Sequence, residues 1–258
     1  MGAQHKAAEQ LSFEETLARL ASNEAHARAV LNRLGRISPI RTGSAVLDIG
    51  AAQGRFAIAC AKLGYRAFGL EPWDEAVALA ARLAAHEGVS IRMVRGVAES
   101  LPFSDNTFEV VHAMSVIEHV HDAAATFAEA YRVLQWGGVF WFYTASSMCP
   151  AQREIRGFPL FGWYPDRLKR RIMDWAVRKR PHLVGGTNTP AVNWFTPWKA
   201  RRMLRAAGFR TIFDRWNLPR LDDENAVKRL LFRMTNICRL SKYIADVFVP
   251  DCAYAAIK

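Results

Sequence analysis

The chain is poor in cysteine. Its four, Cys60, Cys149, Cys238 and Cys252, are scattered among 258 residues with no C-x-x-C pair. Neither a disulfide framework nor a zinc arrangement follows from that spacing, and they read as reduced thiols. H-E-x-x-H and other clusters of ligating side chains are missing too, so no metal is expected. No apolar run reaches the about 20 residues that a membrane-spanning helix needs. The first ten residues, MGAQHKAAEQ, lack the apolar core of a signal peptide. These absences predict a cytoplasmic protein. The dinucleotide fingerprint G-x-G-x-x-G is also missing. Counted from Gly50, its later glycines would fall at 52 and 55, where the chain has Ala52 and Arg55.

Basic residues outnumber acidic ones most in one long stretch. Positions 153 to 220 hold sixteen Lys or Arg against four Asp or Glu, a net +12 within a chain of net +11. The first half is therefore near neutral, and the excess marks a surface that attracts anions: phosphate, nucleic acid or anionic lipid. A solvated basic face is the plainer alternative. Hydrophobic content of 51% and charged content of 23% are those of a globular chain, and the length suits one elaborated domain.

The segment around which the chain is organised is AVLDIGAAQGRFAIACAKLGYRAFGLEPW, residues 45–73. Residues 45–49 read as a buried parallel strand. Gly50, Ala51, Ala52, Gln53 and Gly54 make a tight turn whose small residues let a ligand lie against the backbone. Residues 55–63 form an Ala-rich helix ended by Gly64, and 66–70 a second strand with Glu71 at its carboxyl tip. Ligands of open α/β sheets bind outside that edge, and a carboxylate there can accept both hydroxyls of a ribose. Before this unit, residues 11–34 read as one helix with a Ser12–Glu15 capping box and an apolar stripe. After it come a helix over 73–86, strands over 90–95 and 108–113, a helix over 123–134 capped by Asp122, and a strand over 139–144 entered through Trp136-Gly137-Gly138. Strands alternating with helices predict a doubly wound sheet. Strands over 210–216 and 252–257 complete it as an antiparallel pair.

Asp48 with G-x-A-x-G resembles the first motif, D-x-G-x-G-x-G, of the class I S-adenosylmethionine-dependent methyltransferases. Leu101-Pro102-Phe103, Phe108-Glu109-Val110-Val111, Ile117-Glu118-His119-Val120 and Arg132-Val133-Leu134-Gln135-Trp136-Gly137-Gly138 extend the likeness to the small-molecule "type 11", ubiquinone-biosynthesis-like group. Residues 194–209 resemble that group's F-T-x-x-x-L…A-G-F segment. The resemblance implies a Rossmann-like α/β fold: a doubly wound, seven-stranded, mainly parallel sheet in a single domain. A cofactor core over 45–145 would sit between an N-terminal helix (11–36) and a helical, basic-aromatic insertion (150–193) after the fifth strand. Residues 194–258, with a helical insert at 223–247, would complete the sheet.

It implies S-adenosylmethionine as cofactor, with Asp48, Gly50, Gln53 and Gly54 along its methionine end. Glu71 would take the ribose, Pro72 and Trp73 would lie beside the adenosine, and Ala98 and Glu99 would edge the adenine. Met114 and Ser115 would sit near the amino-acid moiety. Val97 stands where the group often has Asp, so backbone amides or Glu99 would replace that contact. N-P-P-Y and Pro-Cys, the marks of base-modifying enzymes of this fold, are absent.

Three candidates for a general base follow the fourth strand: His119 first, for its near-neutral pKa, with Glu118 and His121 as alternatives. His112 reads as a strand residue with a packing role. In the insertion, Trp163 and Tyr164, with Phe158, Phe161 and Trp175, offer rings for stacking, and Arg167, Arg170 and Arg171 offer phosphate contacts; packing of these rings onto the core is the alternative. The expected reaction is O-methylation of a small or glycan-type anionic acceptor, such as a nucleotide- or lipid-linked sugar. RNA methylation through the basic patch, and a non-catalytic or NAD-binding module, are the other readings. The basic amphipathic stretch 223–247 suits a membrane surface, the chain's own core, or the contact of a homodimer; a monomer is equally open.

Overall fold

The structure is a computed structural model that describes residues 13–150, 155–184, 189–218 and 234–258. Its centre is β1 (Ala45–Ile49), buried along its whole length. On one side lie β2 (Arg66–Glu71) and β3 (Ile91–Arg95), and on the other β4 (Phe108–Met114) and β5 (Leu134–Ala145), all parallel. β7 (Asp251–Ile257) runs antiparallel between β5 and β6 (Thr211–Asp214). One seven-stranded sheet results, in the order β3-β2-β1-β4-β5-β7-β6. This is the mainly parallel, doubly wound architecture expected, with its antiparallel pair.

Eight described α-helices accompany the strands: α1 (Phe13–Ala18), α2 (Leu20–Leu34), α3 (Arg55–Lys62), α4 (Asp74–His86), α5 (Ala123–Val133), α6 (Asp166–Lys179), α7 (Pro197–Ala206) and α8 (Arg239–Phe248). Alternation along the strands sorts the core into two layers. Leu47, Ile49, Val111, Ala113, Phe140 and Phe142 face α5, whose Phe127 is fully buried. Val46, Val110, Val139 and Trp141 face α3 and α2, against Phe56, Cys60, Ala27 and Leu31. The insertion has a small core of its own, made by Ile155, Phe161, Met173, Ala176, Val184 and Trp194. Asp122 caps α5 as expected, its Oδ1 accepting from the amides of Ala124 (2.8 Å) and Ala125 (3.0 Å).

Four boundaries differ from the sequence reading. The single helix over 11–34 is two helices, bent at Arg19, where the Ser22 hydroxyl bonds the Arg19 carbonyl at 2.8 Å. The bend falls where the chain changes partner: Phe13 of α1 meets His86 of α4 edge-on, whereas α2 lies on α3. The Ser12–Glu15 capping box lies outside the described residues. β5 starts at Leu134, not 139, because Leu134 already pairs with Phe108; Val110 then pairs with Val139, so the expected 136–138 turn is a bulge inside the strand. β6 is shorter than 210–216. The helical insert over 223–247 is not one helix: α8 begins only after Cys238, whose Sγ and backbone amide are engaged by Ser241. Residues 223–233 of that insert lie outside the described part.

Replacing Phe127 with Ala should cost about 3–5 kcal/mol, the loss for a buried phenylalanine, against about 1 kcal/mol for Asp122→Ala, the loss of one cap. Urea unfolding checks both, with the midpoint moving and the m-value constant.

Candidate functional site

At the carboxyl edge of β1 the chain turns through three left-handed positions. Gly50 (φ +68°), Ala52 (φ +47°) and Gly54 (φ +71°) alternate with Ala51 and Gln53, whose φ is not positive. A Cβ on Gly50 would lie 2.4 Å from Cγ2 of Val116, and one on Gly54 would lie 2.8 Å from Cβ of Ala80. Both glycines are thus needed twice, for backbone angle and for space. Ala52, which stands at the middle-glycine position of the D-x-G-x-G-x-G pattern, holds the same conformation at a cost of about 1–2 kcal/mol. The turn is tied to its neighbour strand: the Ala51 amide donates to the Leu70 carbonyl (2.9 Å) and the Ala52 amide to Oε2 of Glu71 (2.8 Å).

Glu71 is buried at the tip of β2. Burial pushes its carboxyl above the usual carboxylate range, against the pull of amide bonds from Ala52 and Trp73. Pro72 and Trp73 follow it and are exposed. Gln53 and Ala98 are buried, while Met114 and Ser115 are exposed at the end of β4, with Ser115 also left-handed. The Gly50–Gly54 turn, Glu71 and the end of β4 thus share one edge of the sheet. Glu99 has structural partners of its own. Its Oε1 accepts from the amides of His121 (2.7 Å) and Asp122 (3.4 Å) and so fastens the loop before α5.

Asp48 points to the α2–α3 side of β1, where its Oδ1 meets Nδ1 of His112 at 2.6 Å. The two residues are register partners on β1 and β4. His112 is stacked between Phe56 (centroids 3.7 Å apart) and Trp141 (4.9 Å). Its packing role holds, and the sequence reading did not foresee its partner. His26 of α2 closes the cluster, its ring 6.3 Å from that of His112, and burial lowers its pKa.

The three candidate bases do not converge. Glu118 is buried, and its Oε2 accepts from the Thr144 hydroxyl at 2.8 Å. Its pKa is raised, chiefly by burial, with His119 and Thr144 pulling the other way. His119 is half-buried, and its Nδ1 has no partner among the described residues. His121 is fully exposed and contributes its backbone amide instead. As a base it is removed from the cluster, because the turn that buries Glu118 aims the residue three positions on toward water.

The insertion is clamped onto this turn. The amides of Val192 (2.8 Å) and Asn193 (3.0 Å) donate to the Glu118 carbonyl, and the Asn193 side-chain amide donates to the carbonyls of Ile117 (3.3 Å) and Val120 (2.6 Å). Asn193 and Thr144 were missed from sequence because their partners are remote, and no local motif marks such a pairing. Of the expected substrate residues, Arg167, Arg170 and Arg171 are exposed along α6. Trp163 is also exposed, its indole N–H held by the Met148 carbonyl at 2.9 Å. Tyr164 is instead half-buried on Phe161 within the insertion's own core, as is Phe158, so packing rather than stacking on a ligand accounts for these rings.

A family model described as "Methyltransferase domain" matches residues 47–142. Residues 47–142 form a methyltransferase domain of the type 11 group. The chain's methyltransferase segment is 35% identical over 96 residues to the uncharacterized methyltransferase YcgJ of Bacillus subtilis, covering 37% of this chain and 38% of that protein. It is 30% identical over 141 residues to the ubiquinone biosynthesis O-methyltransferase of a Methylobacterium species, covering 52% and 53%. The chain thus spans about half or less of these relatives' length. The fold of the methyltransferase domain recurs in the YcgJ crystal structure, with a TM-score of 0.54, 20% identity, and 88% of this chain and 98% of that chain covered. It recurs also in phosphoethanolamine N-methyltransferase 2 of Haemonchus contortus in complex with S-adenosyl-L-methionine, with a TM-score of 0.57, 18% identity, and 96% and 60% covered. Among the described residues no group of His, Cys, Asp or Glu could hold a metal ion, and no helix is long and apolar enough to cross a membrane.

The raised pKa of Glu118 has a measurable consequence. The native state holds that proton more tightly than the unfolded chain, so this residue's contribution to stability falls as pH rises past the ordinary carboxylate value of about 4.3. In Glu118→Gln, which keeps an acceptor for Thr144, that fall is removed. Unfolding free energies of both proteins across the acid-to-neutral range should show the variant gaining on wild type as pH rises.

Proposed function

We propose that the protein is an S-adenosylmethionine-dependent methyltransferase that methylates an oxygen of a small anionic acceptor. The observation that carries the reading is the buried Glu71 carboxylate bonded to the Ala52 amide of the Gly50–Gly54 turn. A turn of small residues beside a carboxylate at a strand tip fits a nucleoside with a free ribose. The cofactor would be held by residues 50–54, Glu71 and Trp73, with Ala98 and Met114 on its flanks. When bound, it supplies a sulfonium methyl group open to displacement by a nucleophile. The chain's own residues then have to align the acceptor and keep water away.

His119 supports acceptor deprotonation: its Nδ1 is buried and unpartnered among the described residues, beside the Glu118 carboxyl. Thr144 and Asn193 hold the 117–120 turn that carries both groups. Arg167, Arg170 and Arg171, exposed on the clamped insertion, suit an acceptor bearing phosphate or carboxylate.

Calorimetric titration tests the cofactor. S-adenosylmethionine should bind wild type and NAD should not, and Glu71→Ala should weaken binding at least about 100-fold, the worth of two hydrogen bonds to a charged group. A folded wild type that binds no S-adenosylmethionine would overturn the reading. For the base, His119→Gln should lower kcat about 10²–10⁴-fold and leave the affinity for S-adenosylmethionine unchanged.

A further inference from the structure

α8 is built inside out. Lys242 and Asp246, one turn apart, face the body of the protein: the Lys242 ammonium meets the Asp214 carboxylate, and Asp246 Oδ1 accepts the Trp216 indole N–H at 2.6 Å. The opposite side carries Leu240, Ile244 and Phe248 at i, i+4 and i+8, exposed by 66, 49 and 73%, and Ile237, just before the helix, is 74% exposed. A helix docked on its own core shows the reverse arrangement, apolar inward and charged outward.

The apolar surface continues onto α7. Tyr243 stacks on Trp198 at 6.0 Å with planes 12° apart, and Trp198 is itself 54% exposed. Arg202 and Arg205, one and two turns beyond Trp198 on α7, are exposed as well. Of the other α7 cations, Arg201 is paired with Asp214 at 2.9 Å and Lys199 is bonded to the Trp194 carbonyl at 2.8 Å. Lys199 is drawn down in pKa by burial first, and Lys169, Arg170 and Arg202 push the same way against Asp166. An apolar stripe with tryptophan and tyrosine beside it and arginines at its margin has the composition of an element that lies in a lipid interface.

We propose that the α7–α8 face docks on an anionic lipid surface. Leu240, Ile244, Phe248 and Trp198 enter the boundary between headgroups and acyl chains, and Arg202 and Arg205 meet lipid phosphates. The charge favours lipid over a second copy of the chain, since a self-complementary contact would bring the arginines of two +11 molecules together. The inference goes beyond the catalytic reading and does not depend on it.

Flotation of the full chain with phosphatidylcholine vesicles, with and without phosphatidylglycerol, tests it. The protein should float only with the anionic vesicles, and added salt should release it. Leu240→Glu with Phe248→Glu, and separately Arg202→Glu with Arg205→Glu, should each weaken vesicle binding at least about tenfold, with melting temperature and S-adenosylmethionine affinity unchanged. Wild type that ignores anionic vesicles, or variants that bind them as wild type does, would overturn the proposal. So would a marked fall in melting temperature in the Leu240/Phe248 variant, which would mean that the face is packed within the chain. A wild-type dimer dissociated by that variant in light scattering would give the face to a second copy.

Discussion

The bond between the Ala52 amide and the Glu71 carboxylate joins the two parts on which the site rests. One is a turn of small residues, two glycines and two alanines with Gln53 just before Gly54, that leaves its backbone accessible. The other is a carboxylate at the tip of the next strand. Parallel pairing of β1 with β2 brings them together, since Ile49 lies opposite Leu70 and both strands end at one edge. The turn stores strain at Ala52, where alanine holds a conformation that suits glycine. The packed sheet beneath sustains that strain, with β1 fully buried and helices on both faces.

Among the described residues, the buried carboxylates of the sheet each have a donor beside them. Asp48 and His112 face each other across β1 and β4, between two aromatic rings, with His26 above them. A charge in such surroundings is tolerated only where it is paired. The pair therefore constrains which residues can occupy the middle of the sheet, immediately behind the turn. Glu118 is another buried acid, and it uses Thr144 of β5 as donor and the insertion's backbone as cover.

The insertion is where the architecture departs most from a bare nucleotide-binding sheet. Its small core of Phe161, Met173 and Trp194 lets it fold as a unit. Gly162 lets it approach β5 so closely that a Cβ would stand 2.4 Å from the Ser147 carbonyl oxygen. Asn193 then pins its far end to the 117–120 turn. The basic helix α6 and the start of α7 meet at Trp194, whose ring lies under the Lys169 ammonium and whose carbonyl accepts from Lys199.

Local signals determined a good deal. The apolar run 45–49, the small-residue turn, Glu71 after the second strand and the 101–138 motifs placed the fold and the methyltransferase domain over residues 47–142. Each of these is a short-range consequence of backbone geometry: a buried parallel strand has to read apolar, and a left-handed turn has to be small. Tertiary structure alone decided the rest. The bend at Arg19 comes from a change of packing partner, the early start of β5 from its pairing with β4, and the roles of Glu99 and Asn193 from partners 22 to 76 residues away. The outward face of α8 belongs here too. Periodicity shows that a helix has two sides, but which side the protein covers depends on Asp214 and Trp216, which only the folded chain brings against Lys242 and Asp246.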